Sequence, residues 1–355
     1  MKKGIAVLVG GHSTEFDASI LSYEHVVATC SQPSSPVSVK EVFFITGNKI
    51  FVYAGTEIPL SASDLGKNGE SYPFSELANL LTKSKYYKLS LLHGNEGEDG
   101  CIQGMANMYG WKGSFGDVLV AALSMNKWQM AEVVDTITEH EVKKIPYLKI
   151  EGSWNIPEIK SFIKKYPCEY YVLKPNQLGA SLFTEKIRKT DLLSTLQKYE
   201  SYLDYDKEFL LQPHIMGREF TIGVIQHLDR VHVLPIVEIF TKEHFLGHAA
   251  KHTDKSAWVK IGEVEDSLKQ KFERFSSYIF KEIGFSNFCR FDYLVSGNEI
   301  FFLEANSIPG ITSGSIFTQI LAKTDITIPK MIEYFVENDL NRKEIKKRYR
   351  YVIAR

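Results

Sequence analysis

Residues Gly4 to Val9 form one continuous apolar run that Gly10-Gly11 stops, and a helical pattern takes over near Ala18. A segment apolar at every position needs cover on both faces, which a parallel sheet between helices supplies. The order strand, tight turn, helix is how a doubly wound α/β domain begins. The run follows Met1-Lys2-Lys3 and faintly imitates a secretion signal. It is short, however, and meets His12, Ser13, Thr14 and Glu15, so a buried strand is the better reading.

At 355 residues the chain is long enough for about two or three domains. Val37 to Ile45 and Tyr86 to Leu92 read as further strands of the first domain, with helices near Ile102 to Met108 and Val118 to Met125. A helix then runs from Asn126 toward His140, and Tyr170 to Lys174 and Ser181 to Ile187 read as strands flanking a turn at Pro175 to Gly179. Strands around Phe209 to Gln212, Glu219 to Gln226 and Val231 to Ile239 follow, then a polar loop from Thr241 to Ser256 and a helix from Val264 to Ile283. Strands Phe288 to Val295 and Glu299 to Leu303 are joined by Ser296-Gly297-Asn298, suited to a hairpin turn. We divide the chain into domains at 1–122, 123–211 and 212–355.

Forty-two basic against 43 acidic residues leave no global field for nucleic acid or an anionic membrane, so an anionic ligand must be held locally. The last fifteen residues carry seven Lys or Arg, read as a solvated face. No stretch approaches the ~20 apolar residues of a membrane span. Cys30, Cys101, Cys168 and Cys289 lack paired metal or redox spacing, which fits a reducing cytoplasm.

The strongest chemical signal is Arg290-Phe291-Asp292 on one strand with Glu304-Ala305-Asn306 ending the next. A period of two puts Arg290 and Asp292 on one face and Glu304 and Asn306 on one face, within reach across the hairpin. Two carboxylates and an amide suit Mg2+, which binds oxygen and keeps part of its hydration. A salt bridge between Arg290 and the two acids explains these residues as well. Beside them, Ser307 to Ser315 is a small-residue loop able to hold an oxyanion or a carboxylate, or else a simple turn around Pro309-Gly310. Lys174 ends an apolar strand where Asn176 to Ser181 can fold over a phosphate, and Lys127 and Lys251 count with it only as members of a constellation. Glu15 lies after the Gly10-Gly11 turn, at the strand end where open α/β sheets place ligands. It could receive an ammonium group, or merely favour the helix start by its charge. His93-Gly94 with Glu98-Asp99-Gly100 forms a second strand-end loop.

Together these segments resemble the D-alanine:D-alanine ligases of the ATP-grasp superfamily, in order from Ala6 to Ile332. The matching stretches are Val9-Gly10-Gly11 with Ser13 and Glu15, Leu92-His93-Gly94 with Gly97 to Gly100, and Ala122 to Met125 with Lys127. Later come Lys174-Pro175, Gly217 with Glu219-Phe220-Thr221, Arg290 with Asp292, and Glu304-Ala305-Asn306 with Pro309-Gly310. The resemblance implies an ATP-grasp fold, α/β and α+β, preceded by a Rossmann-like domain, and a cytoplasmic homodimer acting on small amino acids without nucleic acid or membrane. It implies that Lys127, Lys174, Lys251 and Ser181 bind the phosphates of ATP, and that Gln212, Pro213 and Ile215 line the adenine site. Glu219 would take the ribose hydroxyls, and Phe245, Leu294 and Leu303 the apolar surroundings of the base. Asp292, Glu304 and Asn306 would hold Mg2+, or Mn2+ in its place. Glu15 would hold the ammonium of the first amino acid, with His93 among the substrate-binding residues, Arg290 and the Gly310 amide the oxyanion, and Ser315 the second carboxylate. The reaction implied is peptide-bond formation through an acyl phosphate, most simply giving D-alanyl-D-alanine for a cell wall.

The chain departs from the family where two serines and a glycine usually cover the phosphate: here stand Ala180, Ser181 and Phe183. His252 follows Lys251 where many members have tyrosine, and a histidine there could repel an incoming ammonium below its ordinary pKa near ~6.5. Two alternatives follow. One is a ligase with another second substrate, such as a hydroxy acid or a different amino acid in specialised peptide biosynthesis. The other is a nucleotide-binding homologue without catalysis.

Overall fold

The computed structural model describes residues 2–241, 257–261 and 264–342. The strand Lys3–Gly10 is an interior strand of the first sheet, paired in parallel with Val37–Thr46 on one side and the edge strand Tyr87–Ser90 on the other. Two further strands, Lys49–Ala54 and Glu70–Pro73, extend this sheet antiparallel at one edge. Helix Phe16–Cys30 covers one face, with Tyr23, Val26 and Val27 packed on Ile5, Val7 and Val9. Helices Leu77–Lys83 and Cys101–Tyr109 cover the other through Leu77, Leu81, Ile102 and Ala106. The turn needs its glycine: at Gly10, φ is +94° and a Cβ would lie well inside 3.0 Å of the Ile45 carbonyl oxygen.

A second sheet orders its strands Leu148–Glu151, Glu208–Pro213, Tyr170–Pro175 and Glu185–Arg188. The strand expected from Ser181 starts only at Glu185, because Ala180, Ser181 and Phe183 all take positive φ and bend the chain away from the ladder. The third sheet contains Arg218–His227, Val237–Thr241, Ala257–Ile261, Phe288–Ser296 and Glu299–Asn306. Its edge strand Val142–Lys144 comes from the middle of the chain and pairs in parallel with Glu299–Asn306. The strand expected over Val231 to Ile239 is two strands, Arg230–Val233 and Val237–Thr241, interrupted around Pro235, which has no N–H for the ladder. Helix Asp266–Ile283 packs on this sheet through Phe272, Phe275 and Ile279.

One core joins the two ends of the chain. Ile308, Ile311, Phe317, Met331 and Phe335 are buried in the same cluster as Ile5, Val7 and Tyr23. The side of the first sheet covered by helix Phe16–Cys30 therefore packs on the segment that follows Asn306, at the carboxyl end of the strand carrying Glu304.

Candidate active site

The hairpin Phe288–Ser296 and Glu299–Asn306 sets Asp292 opposite Glu304 and Arg290 opposite Asn306. Arg290 grips Asp292 with two hydrogen bonds, Nε to Oδ1 at 3.0 Å and Nη2 to Oδ2 at 2.8 Å, and lies 4.0 Å from Glu304. The Asp292 carboxylate also accepts from Thr221 Oγ1 at 2.5 Å and from Asn306 Nδ2 at 3.4 Å. Burial opposes the Arg290 charge, but Asp292, then Glu304 and Glu219, raise its pKa above the ordinary value. The salt bridge and the convergence of oxygen donors thus coexist. Among the described residues no three His, Cys, Asp or Glu gather around one point, and the donor set here is two carboxylates with an amide. Such hard oxygen donors beside open volume fit a magnesium ion that keeps several waters.

Lys174 faces this hairpin from the second sheet. Burial, reinforced by the nearby charge of Lys127 and offset by Glu304 and Glu219, lowers its pKa to about 8. Lys127 starts helix Lys127–Ile137, whose first turn is capped by Asn126 accepting from Gln129 N. Its Nζ donates to the carbonyl of Leu178 at 2.5 Å, across a loop fastened at its base. There Asn176 Nδ2 donates to Glu208 at 2.7 Å and Gln177 N to Asp206 at 2.6 Å. Farther along, the ring of Phe183 packs on Tyr202 and Tyr205 at centroid separations of 4.4 and 4.8 Å.

Between these walls lies an open cleft. It gathers Lys127, Lys174, Ser181, Gln212, Pro213, Ile215, Glu219, Arg290, Asp292, Leu294, Leu303 and Glu304, all singled out from sequence. Ile145, Val172, Leu178 and Ile239 complete an apolar wall that sequence reasoning left unassigned. Thr221 was likewise left without a role, although its place two residues after Glu219 on one strand was a usable signal. Phe245, Lys251 and His252 lie outside the described residues.

A smaller cleft adjoins the first and shares Lys127 and Glu304 with it. Glu15, Glu98, Met125, Gly179, Asn306 and Ser307 are among its other lining residues. Glu15 precedes helix Phe16–Cys30, and its carboxylate lies against Gly94 and Gly179. Glu98 accepts from Gly94 N at 2.9 Å and from Ile308 N at 3.0 Å. Burial, then the charge of Glu15, nevertheless push its pKa up to about 8. His93 lines neither cleft; it is buried behind Glu98 at 3.9 Å, and burial lowers its pKa to about 4. Its imidazole is therefore neutral at pH 7.

Gly310 and Ser315 sit on the loop after Asn306, also outside the lining of both clefts. Space around Gly310 is open, with no atom within 4 Å of where a Cβ would stand. Ser315 caps helix Ile316–Leu321, its Oγ accepting from Thr318 N at 3.3 Å and donating to the Thr312 carbonyl at 3.2 Å.

Two largely antiparallel sheets closing on one cleft, lysines on one wall and carboxylates on the other, behind a sheet with a parallel core, define an ATP-grasp protein. Residues 149–337, more than half the chain, match the family described as D-ala D-ala ligase C-terminus. A D-alanine–D-alanine ligase of Flavobacterium johnsoniae is 26% identical over 347 residues, covering 95% of this chain and 99% of that one. D-alanine–D-alanine ligase B of Clostridium tetani is 26% identical over 348 residues, with 97% and 95% covered. Among solved structures, VanG D-Ala:D-Ser ligase from Enterococcus faecalis superposes with a TM-score of 0.78 at 22% identity, covering 96% of this chain and all of that one. The D-alanine–D-alanine ligase of Coxiella burnetii superposes with a TM-score of 0.76 at 20% identity and 96% coverage of each. The chain belongs to the D-alanine–D-alanine ligase family.

Proposed function

We propose that this chain is an ATP-dependent ligase that joins two molecules of D-alanine, with the three sheets as the centres of domains 1–122, 123–211 and 212–355. The observation that carries the reading is that the larger cleft and the smaller one share Lys127 and Glu304. A nucleotide in the first and an amino acid in the second would meet at that boundary, where a γ-phosphoryl group can pass to a carboxylate.

In this reading Lys127, Lys174, Lys251 and Ser181 hold the phosphates, Gln212, Pro213 and Ile215 the base, and Glu219 the ribose. Phe245, Leu294 and Leu303 supply apolar cover. Asp292, Glu304 and Asn306 would hold Mg2+ or Mn2+, which when bound neutralises the charge of the transferring phosphate. Glu15 receives the ammonium of the first D-alanine, and His93 supports it from behind through Glu98. Transfer of the γ-phosphoryl group to the carboxylate gives ADP and an acyl phosphate. The second amine attacks the acyl carbon, the carbon–oxygen bond to phosphate breaks with its electron pair leaving on phosphate, and the nitrogen gives up its proton to that phosphate or to water. Arg290 and the Gly310 amide stabilise the oxyanion, while Ser315 and His252 border the second substrate. We assign the protein to the cytoplasm as a homodimer. Four cysteines without a disulfide among the described residues support that compartment.

The test is ADP release by the purified protein with Mg2+ across D- and L-amino acids and hydroxy acids, with mass spectrometry of the product. D-alanine-dependent release with D-alanyl-D-alanine formed supports the assignment; turnover only with another pair, or none with ATP bound, rejects it.

A further inference from the structure

The proposed oxyanion donor sits on a glycine, the residue with the widest backbone freedom, and nothing packs where its Cβ would be. Its direction must therefore come from anchored peptide groups farther along the loop, two residues upstream and one residue downstream. Upstream, the Glu98 carboxylate accepts from Ile308 N at 3.0 Å, and Pro309 restricts the next φ. Downstream, the Ile311 carbonyl lies 2.7 Å from Nδ1 of His25. A carbonyl oxygen only accepts, so Nδ1 of His25 carries the proton and donates.

His25 stands on helix Phe16–Cys30, the helix that Glu15 begins, and outside the short motifs that carry the family resemblance. Ile311 and Ile308 are buried in the core beside that helix, at 1% and 4% exposure, so the loop cannot slide to compensate if the bond is lost. Resting on the reading in which the Gly310 amide faces the oxyanion, we propose that His25 is a positioning residue. Its Nδ1–H fixes the Ile311 peptide and thereby aims the Gly310 N–H, coupling the helix that binds the first substrate to the site of acyl transfer.

The test compares the full chain with His25→Ala, His25→Asn and His25→Gln. The amide nitrogen of asparagine reaches the position of Nδ1, whereas that of glutamine extends beyond it. ADP release with D-alanine and Mg2+ is expected to lose about tenfold in kcat for Ala and Gln, with KM for ATP changed by less than about twofold. Asn is expected to stay within about twofold of the parent. Amide hydrogen exchange across 308–313 is expected to quicken in Ala and Gln and not in Asn. An Asn variant as impaired as Ala, or Ala with parental kcat and exchange, overturns the proposal. Should the Ala variant not fold, Asn against Gln makes the same comparison. A parent that releases no ADP with D-alanine refutes the ligase reading, and the exchange comparison still decides whether His25 holds the loop.

Discussion

The carboxylate of Glu15 occupies the space a side chain on Gly179 would need: a Cβ built there lies well inside 3.0 Å of Oε1. One residue begins the first helix and the other lies in the loop after the strand Tyr170–Pro175, so their contact joins an element of the first sheet to one of the second.

Gly179→Ala is therefore expected to hold the loop off Glu15. Misplacement of reacting groups by about 1 Å costs on the order of 100-fold in rate. We expect kcat for ADP release to fall by about that factor, with the unfolding temperature within about 2 °C of the parent because the loop lies outside the core. An unchanged kcat would count against closure of this loop over Glu15.

Asp292→Asn removes the charge that answers Arg290, whose two hydrogen bonds to that carboxylate are buried. Leaving a buried guanidinium without its partner costs about 3–5 kcal/mol. Urea unfolding is expected to show a loss in that range together with loss of Mg2+-dependent turnover, whereas Glu304→Gln, at a more exposed carboxylate 4.0 Å from Arg290, should lose turnover with less stability.

The lowered pKa of Lys174, about 8, places its deprotonation near working pH. Charge for binding phosphate is present below that value and lost as pH rises through it, so KM for ATP should climb above pH 8. Lys174→Arg should remove the climb, since arginine stays charged there. For stability the sign is opposite. Between about 8 and 10.5 the unfolded chain binds the proton and the folded one does not, so this group's contribution to stability rises with pH.

Phe183 combines a φ of +52° with ring contacts to Tyr202 and Tyr205. A left-handed non-glycine residue costs about 1–2 kcal/mol, of the same order as the aromatic contacts it makes. Phe183→Gly relieves the first while losing the second; Phe183→Ala loses the contacts and keeps the strain. The alanine variant is expected to be less stable than the glycine variant by about 1 kcal/mol in urea titration. Equal stability would show that the backbone there is not strained.

Local sequence determined much of this protein because the determining signals were periodic. The continuous apolar run before Gly10-Gly11 reads as a strand buried on both faces, and it is an interior strand of the first sheet. Alternation put Arg290 with Asp292 and Glu304 with Asn306, but the register running from the turn would set Asp292 opposite Leu303; a one-residue shift between Asp292 and Tyr293 brings Glu304 and Asn306 opposite Asp292 and Arg290. Tertiary structure decided what no local pattern encodes. Val142–Lys144 is too short to announce itself, and becomes a strand only because Glu299–Asn306 offers it an edge. Ser181 reads as the start of a strand but lies in a turn, because the loop must fold back over Lys127 and against Glu15. The contacts of Glu15 with Gly179 and of His25 with Ile311 link residues far apart in the chain, and packing of the first helix on the core around Ile308 and Ile311 creates them. Hydrophobic periodicity specifies which face of an element is buried, whereas the partner that buries it is chosen by the whole fold.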